Sequence, residues 1–344
     1  MNALHFRFRI VGILGIPLLL SCGNTLIGSD PADTPRSNFQ ILWENFDRYY
    51  ALFEFKNIDW NALHAVYSPQ VTERMDDRAL FDVMSAMLAH LKDGHVDLRT
   101  PFAYFNSANR KPLKTLDMEL VKREYLSSGF QTAGYGNFTF TYGQMSAEIG
   151  YIHIASFSSG TGRSWVDKID PIVDRFSENK GLIIDVRNNP GGDSRNAEAI
   201  AGRFADQKRV SSLLQVRRGP GHSDFSPLRE LHVEPAGARQ FTSSIVVLTD
   251  KTVASAAEYF VLAMKRFPYV TVIGDTTGGV MANNIRRELP NGWVYRVSIG
   301  KWFSADGEFF EAVGIPPDIP VHVAASDEPL ERDVILEKAI ELLN

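Results

Sequence analysis

Acyl transfer requires a nucleophile, a base, backbone donors for an oxyanion and a group that orients the base. This sequence offers a residue for each. Ser255 follows an apolar run at 245–248 and a turn at 249–254, and opens a helix predicted to reach about residue 266. Unpaired N–H groups and the positive end of a helix dipole at such a junction favour an alkoxide or a nearby oxyanion. The same stretch, Ser255-Ala256-Ala257-Glu258, also spells a capping box, the commoner role for a serine so placed. Gly191 and Gly192 end the turn Asn188-Asn189-Pro190-Gly191-Gly192, which leaves the carboxyl end of a predicted strand at 181–187. Ligands of open α/β sheets bind at that end, and paired glycines let N–H groups reach a carbonyl with no Cβ in the way. The pair also suits an ordinary tight turn. His95 follows Gly94 at a predicted helix stop, and its ordinary pKa suits proton transfer. A lone histidine there equally fits a structural or surface role. Lys251, Lys265 and Lys301 are the alternative bases, without a context that would desolvate them. Glu311 could orient an imidazole or stay a solvated charge.

The elements around these residues follow from periodicity. Residues 37–92 read as helical, with Phe39, Leu42, Phe46, Tyr49 and Phe53 at three- and four-residue spacing, and again Leu80, Met84, Met87 and Leu91. His95 to Leu98 alternates like a strand. Residues 99–147 read as a β-rich connector. From residue 149 strands at 151–155, 182–186, 245–248 and 270–273 alternate with helices near 164–178, 194–206 and 256–267, which predicts a mostly parallel sheet with flanking helices. A long polar insertion at 209–240 reads either as a rim over a site or as a surface excursion. Residues 293–302 read as a further strand region and 330–343 as a terminal helix. The expected organisation is a lipoprotein signal peptide (1–21), a tether (22–36), a helical module (37–98), the connector (99–147) and an α/β core (148–344).

Composition excludes several classes. With a net charge of −5 and no basic stripe interleaved with aromatics, nothing resembles a nucleic-acid surface. No P-loop, HExxH helix or G-x-S-x-G elbow is present. Arg7 and Arg9 precede an apolar run at 10–20 that is too short to span a bilayer. It ends in Leu19-Leu20-Ser21-Cys22, which resembles a bacterial lipobox and predicts lipidation of Cys22. As Cys22 is the single cysteine, no intrachain disulfide or cysteine-rich metal site can form.

Four motifs carry a family resemblance: Leu91-Lys92-Asp93-Gly94-His95; Ile184-Asp185-Val186-Arg187-Asn188-Asn189-Pro190-Gly191-Gly192; Val253-Ala254-Ser255-Ala256-Ala257-Glu258 with Gly274-Asp275-Thr276-Thr277-Gly278-Gly279; and Glu311-Ala312-Val313-Gly314-Ile315-Pro316-Pro317-Asp318. They resemble the C-terminal processing (tail-specific) serine peptidases, closest to the branch of the tricorn core and the interphotoreceptor retinoid-binding protein. The resemblance implies a ClpP/crotonase-like core. It implies Ser255 as nucleophile, His95 as base, Glu311 anchoring the relay, and an oxyanion hole from Ala256 N–H and a Gly191 or Gly192 N–H. It implies a peptide or protein substrate and no metal or organic cofactor. Two positions depart from the pattern: Val280 stands where the lysine-using branch has its lysine, and Gly94 where the tricorn-type relay has a serine. The span between His95 and Tyr151 is short for a PDZ domain. The expectation is a lipid-anchored serine peptidase, endo- or C-terminal processing, in the bacterial cell envelope. The alternative is a non-catalytic carrier of a peptide or apolar ligand on the same fold. Self-association is left open.

Overall fold

A computed structural model describes residues 31–113, 115–126, 129–136, 138–159, 165–323 and 331–344. The expected signal peptide, Cys22 and most of the tether lie outside them. Helices α1 (Pro35–Tyr49), α2 (Trp60–Tyr67) and α3 (Asp77–Ala89) begin the described chain. Each starts at a side-chain oxygen, Thr34, Asp59 or Asp76, that accepts an N–H of the first turn. Strands β1 (Asp97–Arg99) and β2 (Tyr104–Asn106) follow, then β3 (Phe130–Tyr135), β4 (Phe138–Gln144) and β5 (Ile149–Ile154). Beyond them come α4 (Ile169–Arg175), β6 (Gly181–Asp185), α5 (Ser194–Ala201), β7 (Arg209–Val216) and β8 (Arg229–Val233). The chain continues through β9 (Ser244–Thr249), α6 (Ala256–Met264), β10 (Val270–Gly274), β11 (Asn284–Glu288) and β12 (Val294–Ser298). It ends with β13 (Gly300–Ser304), β14 (Ile319–Pro320) and α7 (Val334–Leu343).

The apolar runs legible in the sequence build a seven-stranded sheet in the order β14-β10-β9-β6-β5-β4-β3. Strands β5, β6, β9, β10 and β14 are parallel; β4 and β3 join antiparallel at one edge. Its strands are apolar on both sides because both faces are covered. On one face α4, α5 and α6 bury Ile152, Ile184 and Val247; on the other, α7 covers Tyr151, Ile183 and Val246. Helix α6, from Ala256 to Met264, is buried along nearly its whole length and is apolar apart from Glu258 in its first turn and the Tyr259 hydroxyl, as a helix sandwiched within the fold must largely be.

A second sheet, β11-β12-β1-β2, is antiparallel throughout. One side carries Leu98, Tyr295 and Val297 into the core of α1 and α3, around Phe46, Trp60 and Met84. Its other side is polar and faces a cleft. The strand region expected at 293–302 divides between sheets: β12 pairs with β1 and β11, while β13 pairs with β7 in a third sheet, β13-β7-β8. The insertion at 209–240 supplies β7 and β8. It is tied down by Arg217, whose guanidinium donates to the Asp47, Arg48 and Tyr50 carbonyls at the end of α1 (3.1–3.2 Å), where a helix has acceptors without partners.

Candidate active site

Ser255 and His95 arrive from the two different bodies of the fold. Ser255 sits between β9 and α6 of the large sheet; His95 sits between α3 and β1 of the helical body. His95 Nε2 lies 3.0 Å from Ser255 Oγ across 160 residues of sequence. The imidazole is 4 % exposed, and burial pulls its pKa down to about 4 despite the nearby Asp93 charge. At neutral pH the ring is an uncharged acceptor.

The backbone at Ser255 has φ 58° and ψ −124°. A non-glycine residue there holds strain of about 1–3 kcal/mol, which an ordinary cap does not need. The expected capping-box arrangement of Ser255 and Glu258 is present, yet Oγ also turns to His95, and Glu258 N–H donates to the Ser255 carbonyl (2.8 Å). The Glu258 carboxylate, fully buried, accepts Ser255 N–H (3.0 Å), and also Thr277 Oγ1–H (2.6 Å), Gly279 N–H (2.7 Å) and Val280 N–H (2.9 Å). Burial pushes its pKa up against these four donors. Glu258 thus clamps the serine turn to the glycine loop after β10, a role larger than the sequence assigned it.

Gly191 and Gly192 pack beside this turn at φ 94° and 144°. A Cβ on Gly191 would strike the Ala254 carbonyl, and one on Gly192 the Ser158 backbone, so only glycine fits either place. Their N–H groups differ. Gly191 N–H is committed to Asn189 Oδ1 (2.9 Å), whereas among the described residues Gly192 N–H and Ala256 N–H donate to no protein group. Gly192 lines a cleft of about 610 Å³ together with Ser255, His95, Pro190 and Gly191, and Ala256 follows Ser255 directly, buried behind it.

Behind the imidazole the expected orientation differs in form. Glu311, 1 % exposed, does not bond the ring; its Oε2 accepts Met281 N–H (2.7 Å) and Ala282 N–H (3.0 Å). The Ala282 carbonyl favours a proton on His95, yet Nδ1 closes no hydrogen bond. Glu311 therefore reaches the ring through the 281–282 peptide it holds. Asp97, two residues after the histidine, does not serve instead, because it is occupied by Arg99 and Arg296. The acid that bonds the His95 backbone is Asp93, to which the sequence reading gave no role: its Oδ1 accepts His95 N–H (2.8 Å), and its Oδ2 is buried without a partner among the described residues. Burial and the Asp93 charge push the Glu311 pKa up to about 8. Burial and Asp93 likewise hold the Tyr50 phenol far above its usual pKa.

With this geometry in place the comparisons with known proteins can be read. Residues 148–321 match peptidase family S41, and residues 31–89 the tricorn protease C1 domain. The chain belongs to peptidase family S41. It is 32% identical over 171 residues to the carboxy-terminal processing protease CtpA of Bacillus subtilis, covering 50% of this chain and 34% of that protein. The matched stretch thus spans about a third of that relative's length. A crystal structure of a Parabacteroides merdae protein assigned as a peptidase is 34% identical, covers 91% of this chain and 97% of its own, and superposes with a TM-score of 0.79. Mature CPAF, at 12% identity and a TM-score of 0.65 over 90% of this chain and 96% of its own, shares the fold.

Within this S41 chain the two departures explain each other. The Val280 methyls occupy the space beside Gly94, where any Cβ would come within 2.7–2.8 Å of them. Valine at 280 and a side chain at 94 exclude one another. Gly94 does not have positive φ, and α3 stops earlier, at Ala89, with Lys92 in the left-handed region (φ 46°). The glycine is thus a matter of space, not of ending the helix. The lysines are not bases: Lys251 pairs with Asp275, Lys265 with Asp318, Lys301 lies over Phe225, and none lines the cleft. Nor does the 209–240 insertion cover Ser255. Its residues line a separate cavity of about 330 Å³ with Tyr259 and Trp302.

Proposed function

We propose that the protein is a serine peptidase that cleaves peptide bonds through an acyl-enzyme on Ser255. The observation that carries this reading is the 3.0 Å approach of His95 Nε2 to the hydroxyl of a strained Ser255. His95, uncharged because it is buried, takes the hydroxyl proton as Oγ adds to the substrate carbonyl. The oxyanion then meets Gly192 N–H and Ala256 N–H, donors of a kind worth about 100- to 1000-fold in turnover each. Nε2 passes the proton to the leaving amine, and a water activated at the same nitrogen hydrolyses the ester. The imidazolium formed in each half-reaction faces the Ala282 carbonyl and the Asp93 charge, which favour it.

A fluorophosphonate probe tests the reading: it labels the wild type, fails on Ser255→Ala and reacts slowly with His95→Ala. A folded wild type that takes no label would instead favour the ligand-carrier alternative. The envelope location is supported by the Leu19-Leu20-Ser21-Cys22 motif. Among the described residues no helix is long and apolar enough to cross a membrane. Incorporation of a fatty-acid analogue, lost in Cys22→Ala, tests a lipid anchor.

A further inference from the structure

Resting on the peptidase reading, we propose that the cleft selects peptides carrying a carboxylate close to the scissile bond. One wall of the cleft is the polar face of the β11-β12-β1-β2 sheet, and its register sets Arg286 directly opposite Arg296, with Arg296 opposite Asp97. Like charges facing each other on neighbouring strands are destabilising unless something intervenes. Asp97 answers only part of this. Fully buried, it accepts from Arg296 Nε (2.8 Å) and from Arg99 (3.0 Å), so one negative charge is shared between two guanidinium groups. Arg286 is exposed, and among the described residues no carboxylate pairs with it. Arg110, also on the cleft, spends one donor on the Lys251 carbonyl (2.9 Å) and is otherwise open.

Among the described residues no aspartate or glutamate lines the cleft, and the histidine that does, His95, is uncharged. Two arginines without a carboxylate partner among the described residues, Arg286 and Arg110, beside Arg296, which shares Asp97 with Arg99, form a receptor for an anion. Arginine's planar fork matches a carboxylate in two-point contact. A peptide offers that group as an aspartate or glutamate side chain or as its own C-terminal carboxylate. The chemistry is the same for both.

The test uses the full chain as Ser255→Ala and short fluorescein-labelled peptides of otherwise neutral sequence. One has an internal Asp and an amidated end, one Asn in its place with the amide, one Asn with a free C-terminal acid, and one Lys with the amide. The expected result is at least about tenfold tighter binding of an acid-bearing peptide than of the Asn amide, from one charged hydrogen-bonded pair, with the gap closing as salt rises. The acid that gains, internal or terminal, identifies the source. Arg286→Gln or Arg110→Gln narrows the gap, and Arg286→Glu moves the preference toward the Lys peptide. Equal affinities, no measurable binding of any peptide, or a gap that both glutamine variants leave intact would overturn the proposal. Wild-type labelling by fluorophosphonate without an acid preference sinks this inference alone. An acid preference without labelling sinks the hydrolase reading alone.

Discussion

Two clusters of buried charge sit in this molecule, and they are built on opposite plans. At the end of β6, Arg187 is wholly buried between Asp185 (2.6 Å) and Asp333 (2.7 Å) and also donates to the Thr115 carbonyl (3.2 Å). Tyr151 hydroxyl donates to the same Asp185 oxygen, Oδ2 (2.9 Å), Oδ1 accepts from Arg187 N–H and Nε–H (3.0 Å each), and Asp333 in turn caps helix α7 through Leu336 N–H (3.0 Å). The Asp and Arg charges there are all answered. Behind His95, by contrast, Tyr50 Oη, Asp93 Oδ2 and His95 Nδ1 are buried and, among the described residues, make no hydrogen bond. Two acids, Asp93 and Glu311, share that space, and among the described residues no cation bonds either of them. A saturated cluster fixes one arrangement, because every move breaks a bond. An unsaturated one costs stability and leaves room for a proton to arrive and depart. The first belongs to the fold and the second to chemistry.

Breaking the saturated cluster has the largest effect. Arg187→Met leaves two aspartates facing each other without a cation and lowers unfolding free energy by about 3–5 kcal/mol, read from the urea midpoint. Next comes the pH dependence of the other cluster. The His95 pKa falls from 6.5 to about 4 on folding, so the unfolded chain binds the proton first. Stability present above pH 6.5 is lost as pH falls toward 4, by about 3 kcal/mol in the limit. Glu311 acts in the opposite sense. Its pKa rises from 4.5 to about 8, so its contribution is complete below 4.5 and is lost as pH rises through 8. Denaturation across pH should flatten on the acid side in His95→Gln and on the alkaline side in Glu311→Gln. The Arg187 lock predicts neither change.

Gly94→Ser should cost about 1–3 kcal/mol by overpacking against Val280. A double-mutant cycle with Val280→Ala should recover most of it, and two additive penalties would refute the shared-space account. The smallest effect has the opposite sign. Ser255→Gly relieves the positive φ and should raise stability by about 1 kcal/mol while abolishing fluorophosphonate labelling.

The large sheet was legible because strands covered on both faces must be apolar throughout, and Ile245 to Leu248 can hardly do anything else. The small sheet was legible only in part. The alternation at 95–98 and the strand region at 293–302 correspond to β1 and β12. Strand β2, by contrast, is three residues long, and β11, Asn284-Ile285-Arg286-Arg287-Glu288, carries three charges in five residues because one face borders the cleft. Its cationic wall was therefore missed with it. Ser255 and His95 could be named from residue type and local context, but not their separation, which depends on how two bodies dock. Glu258 was visible as a cap partner; its bonds to Thr277, Gly279 and Val280 arise from a loop that sequence spacing does not bring near. Asp93 carried one signal, its place two residues before the histidine, and Gly94 misled because a glycine near a helix end suggests a turn when here it yields room to Val280.

Strand β1, which carries His95 into place, is held between β2 and β12, and Asp97 finds its Arg296 partner 199 residues later. A chain emerging from the ribosome therefore presents Ser255 well before the strand that braces the imidazole has been made. The imidazole is braced only once the last part of the polypeptide has been made. The topology thus orders the assembly of the site, with the serine turn first and the support of its partner last.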